Sequence, residues 1–125
     1  MTSVADAAEV LDAHRADAVC YLQTVGRTSG QPRTIEIWFA TDGERLFLLS
    51  GGRDRAHWVR NLRANPRVRI RLGGRSLDGT ARIIEGQERD QAARQMLAAK
   101  YQGWMPGRPL SAWASTSIPV EVTFG

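Results

Sequence analysis

A chain of 125 residues, 42% hydrophobic and 24% charged, carries enough apolar material for one core and is too short to promise a second domain. No stretch approaches the roughly 20 apolar residues of a membrane-spanning helix, and a single cysteine excludes both an internal disulfide and a cysteine-based zinc cluster. The net charge of +4 comes almost wholly from arginine, since Lys100 is the only lysine. Arginine is the better fork for phosphate and carboxylate, so an anionic ligand is one reading of this bias and a skewed composition is the other.

The opening Met1-Thr2-Ser3-Val4-Ala5-Asp6 has no basic or apolar leader region, which makes the cytoplasm the expected compartment. Ser3 reads as the N-cap of a first helix with Val4, Ala7, Ala8 and Leu11 on one face, ending near His14. Ala18 to Val25 favours a strand, and Cys20 within it reads as a buried thiol. From Arg33 to Ala40 the residues alternate, Ile35, Ile37 and Phe39 against Thr34, Glu36 and Trp38, which is the period of a half-buried antiparallel strand. Thr41-Asp42-Gly43-Glu44 predicts a hairpin turn into a third strand, Arg45 to Ser50.

Residues 56 to 64 read as a short helix, because Trp58 and Leu62 stand four apart and Pro66 follows. Arg67 to Leu72 is the sharpest alternation in the chain, with Val68, Ile70 and Leu72 inward. Its Arg67, Arg69 and Arg71 read as a solvated face; no aromatics interleave with them, so nucleic acid is not an expected partner. Thr80 to Glu85 gives a fifth strand. Residues 87 to 101 give an amphipathic helix with Ala92, Met96, Leu97 and Tyr101 at helical spacing. Ser117 to Phe124 gives a sixth strand, whose Pro119 suits a sheet edge. Six strands joined mostly by short turns, with helices inserted rather than alternating, predict a mainly β chain: a small antiparallel β-barrel with peripheral helices.

Two loops rich in glycine and arginine stand about twenty residues apart, Gly26-Arg27-Thr28-Ser29-Gly30-Gln31-Pro32-Arg33 and Ser50-Gly51-Gly52-Arg53. A hairpin between them would bring both to one end of the sheet. Glycines let backbone N–H groups approach an anion closely and guanidinium forks bind its oxygens in pairs, so together the loops suggest a phosphate cradle. Catalytic constellations are otherwise missing: His14 and His57 lie outside any metal-ligand spacing, Ser29 has no evident triad partners, and the Rossmann and P-loop fingerprints are absent. An enzyme built this way takes its chemistry from an organic cofactor.

Gly-Arg-Thr-Ser-Gly-Gln-Pro-Arg-Thr at 26 to 34, Trp-Phe-Ala-x-Asp-Gly at 38 to 43 and Ser-Gly-Gly…Trp-Val-Arg-Asn-Leu-Arg-Ala-Asn-Pro-Arg-Val at 50 to 68 resemble the deazaflavin-dependent nitroreductase and quinone-reductase family. The final Ser-Ile-Pro-Val-Glu-Val is similar to that family's closing strand. The resemblance implies the six-stranded, FMN-binding-like split β-barrel of the pyridoxamine-phosphate oxidases, assembled as a homodimer. It implies a hydride transfer from coenzyme F-420, an 8-hydroxy-5-deazaflavin, to a small-molecule acceptor: a quinone, a nitro compound or another activated alkene. By the same resemblance Gly26, Arg27, Ser29, Gly30 and Arg33 hold the cofactor's phosphate and tail, Ser50, Gly51, Gly52 and Arg53 form a second cofactor segment, and Trp58 and Asn61 follow on the helix start. Thr28 stands where the family commonly has lysine, and Glu36 where it often has proline. A sister group binds FMN or haem, which keeps FMN open as the alternative cofactor and a non-enzymatic binding module open as the alternative function.

Each of these residues also has a plainer reading. Arg27 and Arg33 flank a hairpin, Gly51-Gly52 is a turn, Trp58 is a core anchor and Asn61 a backbone brace. Trp38, on the polar face of its strand, needs cover from a dimer partner or a cofactor ring. Tyr101 and Trp104, at the junction of a helix with a Gly/Pro loop, either pack that loop on the barrel or line the substrate pocket as its catalytic-side residues, with the loop as a lid.

Overall fold

The run expected as one strand from Arg33 to Ala40 breaks after Ile37, and the break shapes the sheet. The structure, a computed structural model, describes residues 2–125. In chain order it contains α1 (Val4–Ala13), β1 (Cys20–Val25), β2 (Pro32–Ile37), β3 (Ala40–Thr41), β4 (Leu46–Ser50), a 3-10 turn (Arg53–Arg55), α2 (His57–Ala64), β5 (Arg67–Leu72), β6 (Arg75–Ile83), α3 (Asp90–Gln102), α4 (Ala112–Thr116) and β7 (Ile118–Phe124). All strand pairings are antiparallel, in the order β2-β1-β5-β6-β7-β4-β3. The edge strands β2 and β3 are consecutive in the chain and separated only by Trp38 and Phe39. Three Cα steps span at most about 11 Å, so the sheet must curl until its edges nearly meet. That is a split barrel, with seven strands where six were expected.

The hairpin expected between the second and third strands is therefore real only at its turn. Gly43 takes φ of 95°, and Asp42 Oδ1 accepts from the Glu44 and Arg45 N–H groups at 2.9 and 2.7 Å. Its first arm is two residues long, and β2 pairs with β1 instead. Pro119 likewise lies in an interior strand. It escapes a missing ladder bond because β6 stops pairing at Val120, and only its carbonyl is used on that side, by the Ile84 N–H at 3.0 Å. The fifth strand of the sequence reading starts earlier, at Arg75, and α4 was not foreseen.

Two apolar layers result. Leu22, Phe39, Leu48, Ile70, Val120 and their neighbours fill the barrel, closed at one side by Ala7, Val10 and Leu11 of α1. Phe47 and Leu49 point the other way and pack under α3 and α4 against Ala93, Leu97 and Ala114, so β4 is buried on both faces. Glu121, also fully buried, is held between Arg45, Arg82 and Arg89, which ties the start of α3 to β7, β6 and the β3–β4 turn. No helix among the described residues is long and apolar enough to cross a membrane.

The break itself is capped by the last turn of α3. The Phe39 N–H donates to the Tyr101 hydroxyl oxygen at 3.0 Å, the Tyr101 proton faces the Ala18 carbonyl at 2.8 Å, and Lys100 Nζ donates to the Phe39 carbonyl at 3.0 Å. Burial pushes the phenol up and the ammonium down from their ordinary ranges. We expect Tyr101→Phe, which orphans the Phe39 N–H, to cost about 1–3 kcal/mol in a denaturant melt. Burial also pushes the Cys20 thiol up to about 12. Cys20 should therefore resist a disulfide reagent at pH 8 in native protein and react fully once denatured.

Candidate functional site

At one end of the sheet the Gly26–Arg33 turn meets the start of α2. The turn closes through Gly26 N–H to the Gln31 carbonyl and Gly30 N–H to the Gly26 carbonyl, both 2.8 Å, with Ser29 Oγ accepting from the Gln31 N–H at 3.1 Å. A Cβ on Gly26 would stand 2.7 Å from Ser29 Oγ and 3.0 Å from the Gln31 carbonyl oxygen, so a larger residue would displace the Ser29 side chain and press on the closure. Asn61, 3% exposed, braces the turn from below. Its Oδ1 accepts from the Arg27 backbone N–H at 3.2 Å and from the Arg27 guanidinium at 2.8 Å, while its amide donates to Thr24 Oγ1 at 3.1 Å. Asn61 is thus a support beneath the surface.

Arg27 also reaches His57 Nδ1 at 3.2 Å, a contact that needs a lone pair on that nitrogen. Arg33 is paired across the ladder with Thr24 and is exposed, with no carboxylate partner among the described residues. Ala56 caps α2 without a side-chain acceptor, which leaves the first-turn N–H groups and the positive end of the helix dipole beside Arg27 and His57. This end of the molecule is accordingly cationic and rich in unused donors.

The second loop leads away from it. Ser50 is buried and donates to the Arg53 carbonyl at 3.1 Å. Arg53 adopts a left-handed φ of 51°, and its guanidinium is committed to the Thr116 carbonyl at 2.6 Å and to Glu85 at 2.9 Å, so it staples the loop to α4 and to the end of β6. Arg55, two residues on, has no acidic partner among the described residues. Gly51 lies flat under an indole: a Cβ there would sit 3.1 Å from the Trp113 ring. Gly52 faces more open space, its nearest neighbour 3.8 Å away.

Beyond Gly51 lies a cavity of about 320 Å³ walled by Val19, Glu36, Ile37, Trp38, Leu49 and Trp113. Trp38 is 44% exposed. It stacks on Tyr101 with ring centres 4.2 Å apart and meets Trp113 edge-on at 5.5 Å. A groove of about 840 Å³ adjoins the other side of the turn, bordered by Thr24, Gly30, Pro32, Arg67 and Phe124. Trp104 faces neither space. Its N–H donates to the Arg108 carbonyl at 2.8 Å and its ring packs on the outer apolar layer, so it pins the loop after α3. Trp58 packs against the barrel core.

Among the sequence candidates, then, Gly26, Arg27, Ser29, Gly30, Arg33 and Asn61 form one unit, and Gly51 carries the surface on toward Trp38 and Tyr101. The sequence reading missed His57 as a neighbour of Arg27, and it missed Trp113. Ser111, the N-cap of α4 through its contact with the Ala114 N–H at 3.1 Å, was the available signal for the latter.

The profile of the F420H(2)-dependent quinone reductases matches residues 3–124. The chain belongs to that family. An F420H(2)-dependent quinone reductase of Mycobacterium tuberculosis is 35% identical over 74 residues, which is 57% of this chain and 50% of the relative. The chain spans about half the length of the curated relatives it matches. The solved structure of an F420-H2 dependent reductase, FDR-A, superposes with a TM-score of 0.62 at 26% identity, over 86% of this chain and 94% of its own. A Listeria innocua protein described as a pyridoxamine 5′-phosphate oxidase superposes with a TM-score of 0.65 at 18% identity, over 93% of this chain and 88% of its own, which shows the shared fold.

Because Asn61 holds both Arg27 and Thr24, we expect Asn61→Ala to cost about 2–3 kcal/mol of stability. Trypsin should also cut after Arg27 faster than in the wild type, at matched fractions folded, as the turn loses its brace.

Proposed function

We propose that this chain is an oxidoreductase that passes a hydride from reduced coenzyme F-420 to a quinone, a nitro compound or another activated alkene. The observation that supports this most is the cradle: Arg27 and Arg33, neither paired with a carboxylate among the described residues, on a tight turn that Gly26 helps close, one glycine pair away from an aromatic pocket. When bound, the reduced deazaflavin supplies the hydride. The protein's part is to hold, orient and dry.

Arg27, Arg33, the Ser29–Gly30 backbone and the free N–H groups of α2 would hold a phosphate, and Arg67 across the larger groove would meet a carboxylate tail. Arg55, without an acidic partner among the described residues, would take the ligand-facing part expected of Arg53, which Thr116 and Glu85 engage. Gly51 and Gly52 let a flat group approach the backbone. Trp38, Trp113, Leu49 and Val19 would clasp a planar acceptor and exclude water from it. Tyr101 acts through Trp38, since its proton is engaged by a backbone carbonyl, and the developing charge on the acceptor is met by backbone N–H groups or solvent. A homodimer suits this arrangement, because a second copy laid over the half-exposed Trp38 would seal the pocket's rim.

The test is anaerobic turnover of reduced F-420 with menadione, together with cofactor titration of three variants. Arg27→Ala and Arg33→Ala should each weaken cofactor binding by roughly tenfold to a hundredfold, about 1.5–3 kcal/mol, and by less at high salt. Arg53→Ala should lower the melting temperature and leave the dissociation constant within about threefold. Turnover that requires FMN, with no response to F-420, would move the protein to the flavin-binding sister group.

A further inference from the structure

The aromatic pocket contains one ionisable side chain. Val19, Ile37, Trp38, Leu49 and Trp113 are apolar or aromatic, and Glu36 stands among them on the outer face of β2. No arginine, lysine or histidine comes within ion-pair distance of Glu36 among the described residues; its one side-chain contact is a long hydrogen bond from the Tyr21 hydroxyl at 3.3 Å. The nearest cation in the cross-strand row is Arg71, which lies over the Tyr21 ring at 4.6 Å from its centre and does not reach the carboxylate. The row Glu36–Tyr21–Arg71 therefore leaves the acid at the pocket and seats the cation on the Tyr21 ring instead of on the carboxylate. The cradle has the opposite sign, with Arg27 and Arg33.

We propose that Glu36 sets the charge selectivity of the acceptor, so that the pocket takes flat, uncharged or cationic aromatic acceptors and disfavours those carrying a sulfonate or carboxylate. The physical reason is that an anionic group seated against Trp38 and Trp113 would face a carboxylate with no cation within ion-pair distance among the described residues, whereas the apolar walls serve any planar ring equally well. Discrimination must then come from the one charged group in the wall. Segregating the signs also keeps an anionic acceptor from competing for the arginine cradle with the cofactor's own anions. The inference rests on the reading of this pocket as the acceptor site.

Two readouts test it, with menadione as the neutral probe and a naphthoquinone sulfonate as the anionic one. The first is quenching of the Trp38 and Trp113 fluorescence by each quinone at equilibrium, without cofactor. The second is the ratio of kcat/KM for the sulfonate to that for menadione with reduced F-420. Glu36→Gln keeps the side chain's shape and an oxygen for the Tyr21 hydroxyl, so it removes the charge alone. It should raise the sulfonate-to-menadione ratio about two- to fivefold in both readouts, the scale of one partly exposed charge, and Glu36→Lys should raise it further. The gain should shrink as salt is added. A ratio that stays fixed in both variants, or quinones that fail to quench the indoles, overturns the proposal. If the quench ratio shifts as expected while neither quinone is turned over, the charge selectivity stands and the hydride-transfer reading fails.

Discussion

The break at Trp38 and Phe39 is the constraint on which the rest of the structure depends. One stretch of chain must serve both edges of a curled sheet, and within two residues it sends Phe39 into the barrel and Trp38 out of it. Such a break strands a backbone N–H and a carbonyl that a continuous strand would have paired, and buried groups left so are costly. Adjacent residues of α3 satisfy both, Tyr101 the N–H and Lys100 the carbonyl. The chain's only lysine suits this place, since a compact ammonium on a flexible stem can donate to the Phe39 carbonyl and still lie over the Phe39 ring at 3.6 Å.

The same closure makes the site. With Tyr101 fixed by three backbone contacts, its ring gives Trp38 a rigid face to stack on, and Trp38 becomes a wall of the pocket instead of a loose indole. Trp113, carried on the short α4 and pressed against Gly51, supplies the facing edge. The Glu121 cluster with Arg45, Arg82 and Arg89, and the Arg94 contacts to the Ala114 and Ser115 carbonyls at 3.0 and 2.9 Å, hold α3 and α4 in register with the sheet. Arginines thus differ in their engagement. Some are consumed by carboxylates and carbonyls under the helices, and Arg27 and Arg33, at the Gly26 turn, have no carboxylate partner among the described residues.

Local periodicity made most of the strands and the three longer helices readable, because period-2 alternation and capping residues are written in neighbouring positions. Arg67–Leu72 and the Ser3 cap were legible for that reason. What could not be read was anything decided by contacts far along the chain. The alternation through Phe39 continues unbroken in the sequence, and only the capping groups sixty residues later allow the strand to stop at Ile37. Arg53 and Arg33 look alike in their glycine-rich loops. The first is absorbed by Glu85 and Thr116, and the second has no carboxylate partner among the described residues. Asn61 could be read from the sequence either as a cofactor contact or as a backbone brace, and its burial beneath Arg27 became visible only with the fold.

The proposed function depends most on Arg27 and Arg33, at the Gly26 turn, recognising the anionic part of a deazaflavin. The most direct measurement is a pair of equilibrium titrations, one with complete F-420 and one with the same deazaflavin lacking phosphate and tail, each at low and at high salt. Complete F-420 should bind at least about tenfold more tightly, and the gap should narrow as salt screens the arginines. Equal affinity for the two ligands at low salt would contradict it.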